Sequence, residues 1–173
     1  MPDIAVSALT IRLVRADERA EVERVVAESW GSAFVVSRGT EHFIPYLPCL
    51  VAEADGRWLG IAAFHVVDAA CELVLLEAFE RGRGIGTALM DAVAERAREE
   101  GAMRLWLVTT NDNTDALRFY QRRGMRLVRL WPDAVTQARR QIKPEIPLFG
   151  QHGIPIRDEL ELELTLVHEP RLA

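Results

Sequence analysis

Two periodicities alternate along this chain. Thr10 to Arg15 alternates apolar and polar positions and predicts a strand. From Asp17, a candidate N-cap, Val22, Val25 and Val26 recur at helical spacing until Trp30–Gly31. Ser32 to Pro48 contains Gly39 and Pro45 and is expected to be irregular. Leu50 to Ala54 and Trp58 to Val67 flank Asp55–Gly56, which predicts a hairpin with a type I′ turn. A further strand is expected over Glu72 to Glu77. After Arg81-Gly82-Arg83-Gly84-Ile85-Gly86 the helical period returns, with Ala88, Leu89, Ala92, Val93 and Ala97 on one stripe up to Glu100. Gly101 then occupies a left-handed closing position.

The C-terminal third continues in the same way. Arg104 to Thr109 predicts a strand, Asn111 or Asn113 caps a short helix ending at Gly124, and Met125 to Trp131 predicts another strand. Pro132 to Asp158 is a long, proline-rich connection with one or two helical turns expected at Ala134 to Gln141. Leu160, Leu162, Leu164 and Leu166 finally alternate with Glu159, Glu161, Glu163 and Thr165, a strand whose glutamates are expected on a solvated face. The order is strand, helix, three strands, helix, strand, helix, two strands. It predicts an α/β (α+β) fold on one mixed sheet, as a single domain over residues 1–173.

Composition narrows the partners. With 173 residues, 49% of them hydrophobic and 27% charged, the chain suits one globular domain. A net charge of −5 argues against a general nucleic-acid binder, though not against a local basic patch. Cys49 and Cys71 have no metal-ligand or disulfide spacing and are expected as plain buried thiols, with no metal site implied. No basic segment leads into an apolar stretch, and no apolar run approaches the ~20 residues of a membrane span. A cytoplasmic protein with no membrane partner is the resulting expectation.

The chemistry concentrates at Gly82, Gly84 and Gly86, between a strand and a helix. Glycines let backbone N–H groups approach an anion, and the helix N-terminus and Arg81 and Arg83 add positive character. The pattern implies a phosphate or pyrophosphate cradle. No Gly-Lys-Ser/Thr comes after it, which excludes the nucleotide P-loop. The dinucleotide fingerprint fails too, because its last small residue would fall on Thr87 or Leu89.

Arg81-x-x-Gly84-x-Gly86 resembles the acetyl-coenzyme A signature of the GCN5-related N-acetyltransferase (GNAT) superfamily. Asn111-Asp112-Asn113, Ala116, Phe119-Tyr120 and Gly124 resemble its second cofactor segment. The likeness is strongest over Leu73 to Leu130. It implies a mostly antiparallel twisted sheet, flanked by helices, whose central parallel strands splay apart. It further implies transfer of acetyl from acetyl-coenzyme A to a primary amine of a small molecule or peptide, by direct attack. Leu75 and Leu76 would offer backbone groups to the pantetheine arm. Arg81, Gly82, Arg83, Gly84, Ile85, Gly86 and Thr87 would hold the pyrophosphate, and Asn113 would touch the cofactor or only cap its helix.

Tyr120 matches the tyrosine that protonates the departing thiolate in many relatives, a role suited to a phenol that keeps its proton at neutral pH. Glu72 is the favoured general base. Glu77, placed across the pleat from Glu72 by parity, and His65 and His42 are alternatives, as is ordered water. Pro132 to Asp158 is too apolar for a disordered linker and is expected to be an ordered flap over the acceptor side or against a second subunit in a homodimer. Arg139, Arg140, Lys143 and Arg157 are either an anion site or surface charge. A non-catalytic acyl-coenzyme A sensor or an interaction module is the alternative function.

Overall fold

The computed structural model describes residues 9–166. In chain order the elements are β1 (Thr10–Leu13), α1 (Arg19–Trp30), β2 (Phe34–Ser37), β3 (Thr40–Phe43), β4 (Cys49–Ala54), β5 (Arg57–Val67), β6 (Ala70–Ala78), α2 (Ile85–Glu99), β7 (Arg104–Thr110), α3 (Thr114–Arg122), β8 (Arg126–Trp131), α4 (Ala134–Gln141) and β9 (Glu159–Thr165). Seven strands form one sheet in the order β1-β4-β5-β6-β7-β9-β8, and β2 pairs with β3 as a separate hairpin. Among the described residues only β6 and β7 run parallel, joined by the crossover through α2. All other pairings are antiparallel.

Each face of the large sheet has its own core. α2 and α3 cover one face, where Leu89, Val93 and Ala97 pack with Phe64, Leu105 and Leu162. Burying each of the Leu, Val and Phe side chains among them contributes about 1.5–3 kcal/mol. Gly60 lies beneath α2, where an added Cβ would stand 2.7 Å from the Glu77 carbonyl and from Ile85. The opposite face carries α1 and the β2–β3 hairpin, with Val22, Val26, Val35 and Ile44 against Ile61 and Leu75. α2 ends as its sequence implies, with Gly101 at φ +83° and the Ala102 amide returning to the Ala97 carbonyl.

The structure corrects three sequence expectations of the fold. Ser32 to Pro48 is not irregular: Phe34–Ser37 and Thr40–Phe43 form a hairpin around Arg38 (φ +50°) and Gly39 (φ +76°). Arg-Gly makes the same left-handed turn as the more familiar Asn-Gly, so β-branched Val35 and Val36 were the legible signal. Asp17 does not cap α1. It lies inside a short 3-10 turn, Ala16–Glu18, and Glu18 instead accepts from the Arg15 amide.

The third correction concerns β9. Glu159 and Glu161 are not solvated but buried, because the hairpin and the side chains around it cover that face.

Candidate active site

The β6–β7 pairing is short. It consists of Ala70↔Arg104, Cys71↔Leu105 and Glu72↔Trp106, after which the strands part. β6 continues to Ala78 along β5, and β7 continues to Thr110 along β9. Their facing edges beyond Glu72 and Trp106 are therefore unpaired with one another, and a V-shaped gap opens at that rung. Unpaired strand edges offer rows of N–H and C=O groups to an extended ligand. Leu75 and Leu76 lie on β6 beyond the last paired rung.

A bulge sharpens the geometry. Ala63 pairs with Leu75 and Phe64 with Leu73, which leaves Val74 as an extra residue on β6. An extra residue shifts the side-chain parity of the strand beyond it. Leu73 joins the α2 face, while Val74 and Leu75 both join the α1 face. The parity argument that put Glu77 opposite Glu72 thus fails. Glu77 accepts from the Trp30 indole at 2.5 Å on the α1 side, at the far end of the strand from the Glu72 cluster.

The glycine loop takes a left-handed, open conformation. Gly82 (φ +78°) and Gly84 (φ +73°) are left-handed, and Gly84 precedes the first turn of α2. A Cβ at either position would meet no atom within 4 Å, so open space faces both backbones. Ile85 is buried as the anchor of α2, Gly86 lies against the Phe119 ring, and Thr87 is half-buried. Arg83 pairs with Glu80, while Arg81 is held loosely by Asp115 at 3.6 Å. Beside the loop, Arg81, Gly82, Arg118, Arg122 and Arg123 line a pocket of about 440 Å³. Four guanidinium groups in an otherwise acidic protein fit a polyphosphate ligand such as coenzyme A.

Tyr120 and Glu72 occupy opposite faces. Tyr120 is buried among the α2-side core, edge-on to Phe119 with ring centroids 5.3 Å apart. Burial pushes its phenol up, so it keeps its proton. Glu72 is only 6% exposed on the α1 side. Its Oε1 accepts from the Ser37 hydroxyl at 2.5 Å, and its Oε2 lies 3.0 Å from His65 Nε2 and 3.7 Å from His42 Nε2. His42 is buried, its Nε2 has no hydrogen-bond partner among the described residues, and burial lowers its pKa, which keeps the ring neutral. Three of the four candidate bases thus converge on one carboxylate, with ligand atoms all within 4.8 Å of one another. Such a set could also hold a cation, but the direct His65–Glu72 hydrogen bond favours proton handling. Both cysteines are buried, and burial raises each thiol to about 12.

The asparagine segment caps α3, one of the two roles its sequence implies, and also anchors the 132–158 connection. Asn113 caps α3 by accepting from the Ala116 amide at 3.2 Å, and it also receives the Gln151 side chain. Asn111 accepts from the amides of Arg157 and Asp158 and donates to the Pro155 carbonyl. Asp112, buried between them, accepts from Thr110 and from the Gln151 amide. All three side chains hold the 132–158 connection. From its other side Arg139 donates to the carbonyls of Ile146, Pro147 and Ile156, so it fastens the flap rather than awaiting an anion. Lys143 donates to the Phe34 carbonyl and ties the flap to β2. Ile156 is buried, whereas Leu148 and Phe149 remain exposed.

Between the flap, β2 and the end of α1 lies a cavity of about 540 Å³, with Thr110 and Glu159 in its lining. Glu159 and Arg38 escaped sequence reasoning. Arg38 lays its guanidinium 4.7 Å from the Trp106 ring and 5.0 Å from the Trp131 ring, and its amide donates to Glu159. Only the hairpin pattern around Arg38-Gly39 could have signalled that a polar turn is folded over these glutamates.

A parallel pair that opens beside a glycine cradle, with a core on each face, is the framework of a GNAT-fold acetyltransferase. The sequence profile of the acetyltransferase (GNAT) family matches residues 14–125, and the chain belongs to that family. It is 42% identical over 134 residues to the uncharacterized protein YxbD of Bacillus subtilis, covering 77% of this chain and 84% of that one. It is also 42% identical over 76 residues to the streptothricin acetyltransferase of Streptomyces lavendulae, spanning 41% of this chain and 40% of that enzyme. Among solved structures, a Bacillus subtilis acetyltransferase in complex with CoA shares the fold at a TM-score of 0.67 and 21% identity, covering 92% of this chain and all of that one. Among the described residues no helix is long and apolar enough to cross a membrane.

Proposed function

We propose that this protein transfers acetyl from acetyl-coenzyme A directly to a primary amine. One observation carries the reading: Glu72, a buried carboxylate held by Ser37 and His65, sits at the last paired rung before β6 and β7 part. Acetyl-coenzyme A fits the rest of the site. The loop from Arg81 to Thr87 and the neighbouring arginines would take its phosphates, and the free edge at Leu75 and Leu76 its pantetheine amides. Backbone N–H groups there would also stabilise the oxyanion of the attacked thioester.

An amine arrives protonated and attacks only after losing a proton. Glu72 takes that proton, with His65 and Ser37 fixing its orientation. The nitrogen then bonds to the thioester carbonyl carbon, the carbon–sulfur bond breaks, and the thiolate receives a proton from Tyr120 on the other face. The second proton shed by the nitrogen returns through solvent to the Tyr120 phenolate, while Glu72 releases its own to solvent. A sensor has no need of a thiolate acid, so a protonated phenol at this position favours catalysis. Incubation of the protein with acetyl-coenzyme A and a panel of amines, read by thiol release and by mass spectrometry of the amide, tests the proposal. Thiol release matched by amide is expected. Tight acetyl-coenzyme A binding without amide from any amine would make the protein a sensor.

A further inference from the structure

Besides Glu72, the buried carboxylate Glu159 lines the cavity under the flap. Ser37 and Arg38 are consecutive, yet each holds a different carboxylate: the Ser37 hydroxyl donates to Glu72 and the Arg38 amide to Glu159. One turn of chain thus spans the distance between the two acids. Glu159 pairs across the sheet with Thr110, the last residue of β7, and both residues line the 540 Å³ cavity. The cavity therefore leads from the flap to the end of the opened parallel pair.

Apart from Glu159, its wall is mainly apolar: Trp30, Val35, Val135, Ala138, Ile146 and Ile156. Lys143 and Glu145 lie in the wall supplied by the flap, and the Lys143 ammonium is already engaged by the Phe34 carbonyl. The Arg38 amide is the only described hydrogen-bond donor to Glu159, and the Arg38 guanidinium turns away to Glu161 at 3.7 Å. Burial raises the Glu159 pKa, and the Arg38 amide and guanidinium only oppose that rise, the guanidinium pointing at Glu161. An ammonium brought into the cavity would supply the direct ion pair that this carboxyl lacks among the described residues.

We infer that this cavity is the acceptor site and that it selects an amine with one cationic group and a compact apolar body, the ammonium drawn in by Glu159. The inference rests on the acetyltransferase reading above and adds the substrate class. Polycations such as polyamines and aminoglycosides fit poorly, since their further charges would be desolvated against valine and isoleucine with no partner. Glu159 is then a binding residue and Glu72 the base. A carboxylate that binds the ammonium lowers KM, whereas a base raises kcat.

The experiment compares phenethylamine with spermidine and kanamycin as acceptors for wild type, Glu159→Gln and Ala138→Phe, with acetyl-coenzyme A affinity measured by calorimetry. Phenethylamine should have the highest kcat/KM on wild type. Glu159→Gln is isosteric and should raise its KM roughly tenfold or more, the usual effect of losing a charge-assisted bond. Ala138→Phe should fill the cavity and do likewise, and both variants should bind acetyl-coenzyme A as wild type does. Preferential acetylation of spermidine or kanamycin, or an unchanged phenethylamine KM in both variants, overturns the inference and leaves acetyl transfer standing. Absence of amide from every amine overturns both readings together.

Discussion

Glu72 and Tyr120 lie on opposite faces of the central sheet, one on the side of the β2–β3 hairpin and the other in the core beneath α2 and α3. Between the two faces runs the gap that opens after the Glu72↔Trp106 rung. A thioester laid along this gap would have a proton acceptor on one side and a proton donor on the other. The amine can then be deprotonated and the thiolate protonated without either group crossing the reacting carbon.

The acid role is tested by Tyr120→Phe, which keeps the ring in its core position and removes only the hydroxyl. Turnover is expected to fall by about 10²–10⁴-fold. Acetyl-coenzyme A affinity and thermal stability should stay close to wild type, because the hydroxyl makes no hydrogen bond among the described residues. Steady-state kinetics with calorimetry checks this, and full activity in the variant would hand the role to water.

Gly150 tests the flap. Its missing side chain leaves room for the Asp112 carboxylate, with which any Cβ would collide. Gly150→Ala should push the flap off the Asn111–Asn113 segment and weaken the Gln151-to-Asp112 bond of 3.1 Å. Amine KM is expected to rise roughly tenfold, the scale of one buried hydrogen bond to a charged group, while acetyl-coenzyme A affinity holds. Weaker cofactor binding with normal amine KM would show that the segment serves the cofactor instead.

Acid stability should depend on Glu18. The side chain of Arg12, the Arg15 amide and the Arg15 guanidinium hold its carboxyl down to about 2, with Glu53 sharing Arg12. A depressed carboxyl contributes stability that is full above its ordinary value near 4.5 and lost as pH falls through the folded one. Wild type should therefore lose this contribution between pH 4.5 and about 2. Glu18→Gln should be less stable at pH 7 and lose less over that window, as urea titrations at several pH values would show.

Much of the framework was readable because it rests on local rules. Asp55–Gly56 and Gly101 demand left-handed backbone, and Ala134 to Gln141 folds as the helix its sequence suggested. The turn at the glycine loop was readable for the same reason, since Gly82 and Gly84 take left-handed backbone. The face beneath the β2–β3 hairpin was not. A single extra residue at Val74 reversed the parity of Glu77, and a strictly alternating Glu/Leu strand looked solvated until a distant hairpin covered Glu159 and Glu161. Period tells which residues share a face, not what will later fold over that face. The capping role of Asn113 was legible, but nothing in the sequence signalled that Asn111 holds a flap more than forty positions downstream.

The central claim is that Glu72 takes the amine's proton at the mouth of the opened pair. Glu72→Gln keeps the shape and the bond to Ser37 but cannot accept a proton. Its kcat should fall by about 10²-fold or more near neutral pH and recover as pH rises and free amine becomes abundant, with acetyl-coenzyme A affinity unchanged. The pH–rate profile of this variant beside wild type is the most direct measurement. A variant that turns over like wild type across the whole profile would contradict the account.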